Sequence, residues 1–68
     1  MHEAFAEWFK QKRKEKGMLQ PEIAKEIGVT TQTIVAVEKG NSLSVKTIRS
    51  IAAFFEIPVE KVFKIYSK

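Results

Sequence analysis

Apolar residues recur at steps of three and four along most of the chain, a spacing that predicts helices throughout. Phe5 and Phe9, with Ala6 beside them, make the core stripe of a first helix over 3–16, which Gly17 ends. Ile23, Ala24 and Ile27 line one face of a second helix starting near Gln20. Ile34 and Val37 mark a third, from about Thr31 to Lys39. Val45, Ile48, Ile51, Ala52 and Phe55 stand at core spacing on a fourth helix, Val45 to Phe55. Val59, Val62 and Phe63 belong to a fifth, Pro58 to Tyr66, packed under the first and fourth. The expected fold is all-α, five helices in one domain covering 1–68.

Between the second and third helices the chain has little room. Gly28 tolerates the left-handed backbone that stops a helix sharply, Val29 can plug the bend, and Thr30 is a good N-cap. Residues 20–39 therefore read as a helix-turn-helix. Two helices crossing at roughly 90–120° leave no room for a large side chain at Ala24. Leu19 has no oxygen with which to cap the second helix, so Gln20 is the expected cap, with Pro21 at the first helical position. Ser44 is the expected cap of the fourth helix, after a turn at Gly40, Asn41 and Ser42.

Composition narrows the function. Sixty-eight residues, 44% of them hydrophobic, suffice for one small core. The absence of cysteine removes disulfides and thiolate metal sites from consideration. No apolar run approaches the roughly 20 residues of a membrane span. Acidic residues and Trp8 interrupt any signal-peptide core, so the expected compartment is the cytoplasm. Net charge is +4, and Lys10, Lys12, Arg13, Lys14 and Lys16 cluster against Glu15 alone. Such a run suits either a polyanionic partner or a solvated helix end. Glu22 and Glu26, four apart with Lys25 between, read as a solvated face, and His2 falls in an end expected to fray. No triad or phosphate loop is present, so catalysis is not expected, and neither is a metal or cofactor.

Seven segments together carry a resemblance over residues 9–63. They are RKEKG (Arg13–Gly17), QPEIA (Gln20–Ala24), GVT (Gly28–Thr30), QTI (Gln32–Ile34), EKG (Glu38–Gly40), SVKTI (Ser44–Ile48) and IPVEKVF (Ile57–Phe63). In this order and spacing the chain resembles the phage repressor/Cro-type helix-turn-helix family, with its lambda-repressor-like fold. The resemblance implies double-stranded DNA as partner and the third helix in the major groove. It also implies a structural pair between Arg13 and Glu38. By family position Thr31, Gln32, Val35 and Ala36 would read bases. Gln20, Thr30, Thr33, Asn41, Ser42, Ser44 and Lys46 would meet phosphates.

The chemistry of these types agrees. Gln32 can make two hydrogen bonds to adenine, Val35 and Ala36 can touch a thymine methyl, and Thr31 can do either. No Arg or Lys stands on this face for guanine, which predicts a site leaning towards A·T. Small polar residues on a helix are also ordinary surface, so the fold alone does not settle this function. The chain departs from the family at Lys12, where an apolar residue is usual, at Leu43, where proline is common, and at Glu56, where glycine is common. A strained residue or a longer helix is expected at Glu56.

Phe54, Trp8, Ile65 and Tyr66 are left over once the core is filled, and such patches often mark partner sites. A homodimer through the fourth and fifth helices is expected, the side that family dimers commonly use. The leading expectation is a dimeric, sequence-specific regulator, a repressor reading a palindromic operator. The alternatives are a protein-binding module of the same fold, such as an antitoxin held by a toxin, and a restriction–modification controller protein.

Overall fold

Five helices follow one another in a computed structural model that describes residues 2–68. They are α1 (Glu3–Glu15), α2 (Gln20–Ile27), α3 (Thr31–Glu38), α4 (Val45–Phe55) and α5 (Val59–Tyr66). The all-α architecture expected from the apolar spacing is therefore the one observed. Boundaries differ by single residues. Lys16 and Lys39 are C-caps rather than last helical residues, and Pro58 occupies the N-cap position of α5.

The stripes converge on one cluster. Phe5, Phe9, Ile23, Ala24, Ile34, Val37, Ile48, Ile51, Ala52 and Val62 are all buried within it. Helix α2 packs on α3 and α4, α1 on α3 and α5, and α4 on α5. Val45 departs from expectation and is 52% exposed. It is the first residue of α4, one turn ahead of Ile48, where the helix has run past the core. Phe55 is only partly buried, its ring meeting Phe9, Trp8 and Phe54 edge-on at 5.9, 5.7 and 5.0 Å.

Helix ends follow local chemistry. At the end of α3 the Gly40 N–H donates to the Val37 carbonyl and the Asn41 N–H to that of Ala36. This paired closure needs a left-handed residue, and Gly40 supplies it at φ 81°. The same closure ends α4, where the Ile57 N–H donates to the Ala52 carbonyl. There the left-handed residue is Glu56, at φ 56° and ψ 43°. Of the two outcomes expected at this position, the strained residue is the one observed.

The start of α2 differs from expectation. Leu19, not Gln20, is its N-cap, and the Glu22 carboxylate accepts the Leu19 N–H at 2.8 Å. Glu22 thus supplies the half of a capping box that does not depend on the N-cap side chain, while a leucine N-cap offers no oxygen for the other half. It is a capping residue rather than part of a merely solvated face. Leu19 itself is 66% exposed.

The N-terminal end does not fray at His2. Its backbone N–H donates to the Gly40 carbonyl at 2.9 Å, and its Nδ1–H donates to the Tyr66 carbonyl at 2.7 Å. The imidazole stacks on the Tyr66 ring, centroids 3.8 Å apart. Nor are the four leftover apolar residues surplus. Trp8, Phe54, Ile65 and Tyr66 are each partly buried against the core. Trp8 lies tilted by 33° on Phe5 of its own helix. It is edge-on to Phe55, and Tyr66 is edge-on to Phe5, contacts between rings of separate helices that apolar spacing along the chain does not predict.

Candidate nucleic-acid interface

The surface that the helix-turn-helix presents is set by three helix starts. Gly28, at φ 90°, closes α2, with its own N–H and that of Val29 both donating to the Ala24 carbonyl. The chain turns at once, and Thr30 caps α3 by accepting the Thr33 N–H at 3.1 Å. Ile34 and Val37 seat α3 on the core. At about 100° per residue, Thr31, Gln32, Val35 and Ala36 then share one outward arc. Thr31 and Gln32 are exposed, while Val35 and Ala36 are half-buried. The four base-reading candidates lie together on one face.

The phosphate candidates stand at the start of α2, the start of α3, the loop after it and the start of α4. Thr30 is exposed and Thr33 half-buried, their hydroxyl oxygens 3.0 Å apart. One hydroxyl hydrogen is used between them, which leaves the other free for an outside acceptor. Ser44 and Thr47 repeat the arrangement at the start of α4, where Ser44 accepts the Thr47 N–H at 3.2 Å and the hydroxyl oxygens are 3.0 Å apart. Asn41, Ser42, Ser44 and Lys46 are exposed. The backbone N–H groups of Ser42 and Ser44 have no acceptor among the described residues. Free N–H groups, the dipole at the start of α4 and the Lys46 charge make this region suited to an anion.

Gln20 is engaged differently from expectation. It is not the cap of α2, and its Nε2 donates to Glu38 Oε1 at 3.2 Å. Glu38 also receives the Arg13 Nε–H at 2.7 Å and the Nη2–H at 3.1 Å, a two-pronged ion pair. Arg13 Nη1–H donates to the Met18 carbonyl at 2.9 Å. The side chains of Arg13 and Glu38 are 14% and 6% exposed, so this network is largely inside the protein. Bonding to Glu38 raises the Arg13 pKa against the opposing effect of burial, which keeps the guanidinium charged at neutral pH. The network joins the end of α1, the start of α2 and the end of α3, and so fixes the Gln20 side chain against Glu38.

Of the cationic run on 10–16, Lys10, Lys12, Arg13 and Lys16 each have a partner, whereas the exposed Lys14 has no ion-pair partner among the described residues. Lys10 lies 3.8 Å from Glu7, Lys12 3.8 Å from Glu15, and Lys16 sits 5.2 Å from the centre of the Phe54 ring. The half-buried Lys12 fills its departure from the family pattern while its ammonium reaches Glu15. Arg49, three residues beyond Lys46, is also exposed and has no ion-pair partner among the described residues. It continues the positive row of α4, a residue that the i, i+3 spacing from Lys46 could have flagged. Glu22 and the Gln20–Glu38 bond left no comparable signal, because both depend on where the turn places α2.

The sequence matches a family described as Helix-turn-helix over residues 9–62. It is 43% identical over 47 residues to an uncharacterized HTH-type transcriptional regulator of Methanocaldococcus jannaschii, covering 68% of this chain and 71% of that protein. It is 61% identical over 28 residues to an uncharacterized HTH-type transcriptional regulator of Methanothermobacter thermautotrophicus. That second match covers 41% of each chain. No solved structure matches the chain significantly.

Proposed function

This chain belongs to the helix-turn-helix family, with the lambda-repressor-like all-α fold, and we propose that it is a sequence-specific regulator of transcription that reads double-stranded DNA with α3 in the major groove. The observation that carries this reading is the grouping of Thr31, Gln32, Val35 and Ala36 on one face of α3, followed in the chain by the Ser42 and Ser44 N–H groups, which have no acceptor among the described residues. Gln32 pairs with adenine N6 and N7, and Val35 and Ala36 meet thymine methyl groups. Gln20, Thr30, Thr33, Asn41, Ser42, Ser44 and Lys46 hold phosphates and set the register of the helix. Direct DNA binding, with no chemical step, is the activity, exerted on DNA in the cytoplasm.

A homodimer completes the reading, and repression by occupancy of a palindromic operator is its simplest outcome. One protomer extends at most 26 Å. A palindromic site with half-sites one turn of DNA apart would ask the dimer to hold its recognition helices roughly 34 Å apart. Phe54 and Ile65, partly buried on α4 and α5, are the contacts proposed for the partner, with Trp8 and Tyr66 beside them.

Selection of bound sequences from a random duplex library, followed by titration at two salt concentrations, tests this function. The expected result is a palindromic consensus leaning towards A·T, with affinity falling steeply as salt rises. Weak binding to every sequence alike would overturn it and favour a protein partner such as a toxin. Sedimentation equilibrium with and without the selected duplex tests the dimer, and a single protomer on a full site would remove it.

A further inference from the structure

We propose that His2 and Tyr66 form a clasp that positions the loop between α3 and α4 for phosphate, making Tyr66 a positioning residue for DNA binding. The proposal rests on the DNA-binding reading above. The loop is pinned at two points three residues apart. At Gly40 the pin is the His2 N–H, donated to the Gly40 carbonyl at 2.9 Å. At Leu43 it is the Tyr66 hydroxyl, which accepts the Leu43 N–H at 2.7 Å.

The two pins are themselves one unit. The imidazole and phenol rings stack at 3.8 Å with planes 12° apart, and the His2 Nδ1–H donates to the Tyr66 carbonyl at 2.7 Å. Phe5, from the buried core, meets the Tyr66 ring edge-on at 5.3 Å. Gly40 packs so closely on His2 that a β-carbon there would lie 3.4 Å from the His2 backbone. Tyr66 is the last residue of α5, so its ring is held from three directions at a helix end that would otherwise fray.

What the clasp does follows from which N–H groups it uses. The clasp takes the Leu43 N–H at Tyr66, and the closure of α3 already takes the Asn41 N–H at Ala36. Between and after them, Ser42 and Ser44 keep N–H groups with no acceptor among the described residues. Fixing the first pair fixes the orientation of the second, so the loop presents two ordered donors beside Lys46. Without the clasp those donors must be ordered when DNA binds, and affinity falls by that entropy.

The test uses Tyr66→Phe, which removes the hydroxyl and keeps the ring stack, in the full chain. Amide hydrogen exchange at Leu43 is measured without DNA, and affinity is measured for the selected duplex and for a scrambled one. Both proteins are compared well below their melting transitions. The expected result is faster exchange at Leu43 and a loss of about threefold to tenfold on both duplexes alike. His2→Ala reproduces part of this loss, since it keeps the backbone bond to Gly40. Unchanged exchange at Leu43 would show that the clasp does not form. Faster exchange with unchanged affinity would show a merely structural bond, and a loss confined to the selected duplex would assign Tyr66 to base reading; either outcome overturns the proposal. Wild-type protein that binds neither duplex overturns the DNA reading itself, in an arm separate from the exchange measurement.

Discussion

Arg13 and Glu38 are twenty-five positions apart in sequence and joined by two hydrogen bonds of 2.7 and 3.1 Å. Their pairing closes the helix-turn-helix against α1, and Gln20 is bonded into the same carboxylate. Removing Arg13 would leave Glu38, 6% exposed in its side chain, as a carboxylate without its cation. Arg13→Ala is therefore expected to cost on the order of 3 kcal/mol of stability. In a domain of this size that lowers the melting temperature by more than roughly 10 °C. Replacing both partners, as Arg13→Met with Glu38→Met, is expected to recover much of the loss, because no lone charge remains. Thermal melts of the single and double variants measure this. A double variant as unstable as Arg13→Ala would mean that the neighbouring bonds to Met18 and Gln20 carry the stability instead.

Glu56 offers the opposite case, a residue that the fold tolerates. Its φ of 56° is the only positive value at a non-glycine position among the described residues. A β-carbon in that conformation costs roughly 1–2 kcal/mol, and glycine avoids the strain but adds freedom to the unfolded chain. Glu56→Gly should then stabilise the protein by about 0.5–1 kcal/mol. Chemical denaturation with an unchanged slope would verify it, whereas a loss of stability would show that the Glu56 side chain makes a contribution of its own.

At Gly28 and Ala24 two different costs can be separated. A β-carbon built on Gly28 meets nothing within 4 Å, so substitution there strains the backbone alone. Gly28→Ala is expected to lose about 1 kcal/mol, and Gly28→Asn less, since asparagine accepts left-handed geometry. Ala24 is 2% exposed and belongs to the core cluster, on the helix that packs on α3 and α4. Ala24→Leu should lose more, up to about 3 kcal/mol, through overpacking. Denaturation midpoints in the order Ala24→Leu, Gly28→Ala, Gly28→Asn, wild type would support this division. A reversal of the first two would place the steric limit at the turn.

Base reading and phosphate contact differ in their signatures on DNA. If Gln32 pairs with adenine, Gln32→Ala should cost about 1–3 kcal/mol on the preferred site and relax preference at one position of each half-site. Lys46→Ala should weaken all duplexes together and make the salt dependence shallower by about one phosphate contact. Titration of matched and mismatched duplexes distinguishes them. Uniform weakening by Gln32→Ala would remove it from the reading face.

By itself the sequence determined the helices, their core faces and most of their ends. These depend on near neighbours: Ile23 with Ile27, Ile34 with Val37, a threonine or serine before its helix, a glycine after one. It also carried the helix-turn-helix and the grouping of the four residues on the outward arc of α3, because the 3.6-residue period places them there without reference to anything else. The Arg13–Glu38 pair was legible only through family resemblance, since neither residue signals the other across twenty-five positions. The tertiary structure alone decided that Leu19 caps α2 with Glu22 behind it, that Val45 lies outside the core, and that His2 and Tyr66 meet over the loop at Leu43. Each of these turns on where separate segments come to rest, and residues 64 positions apart share no local pattern from which to infer their contact.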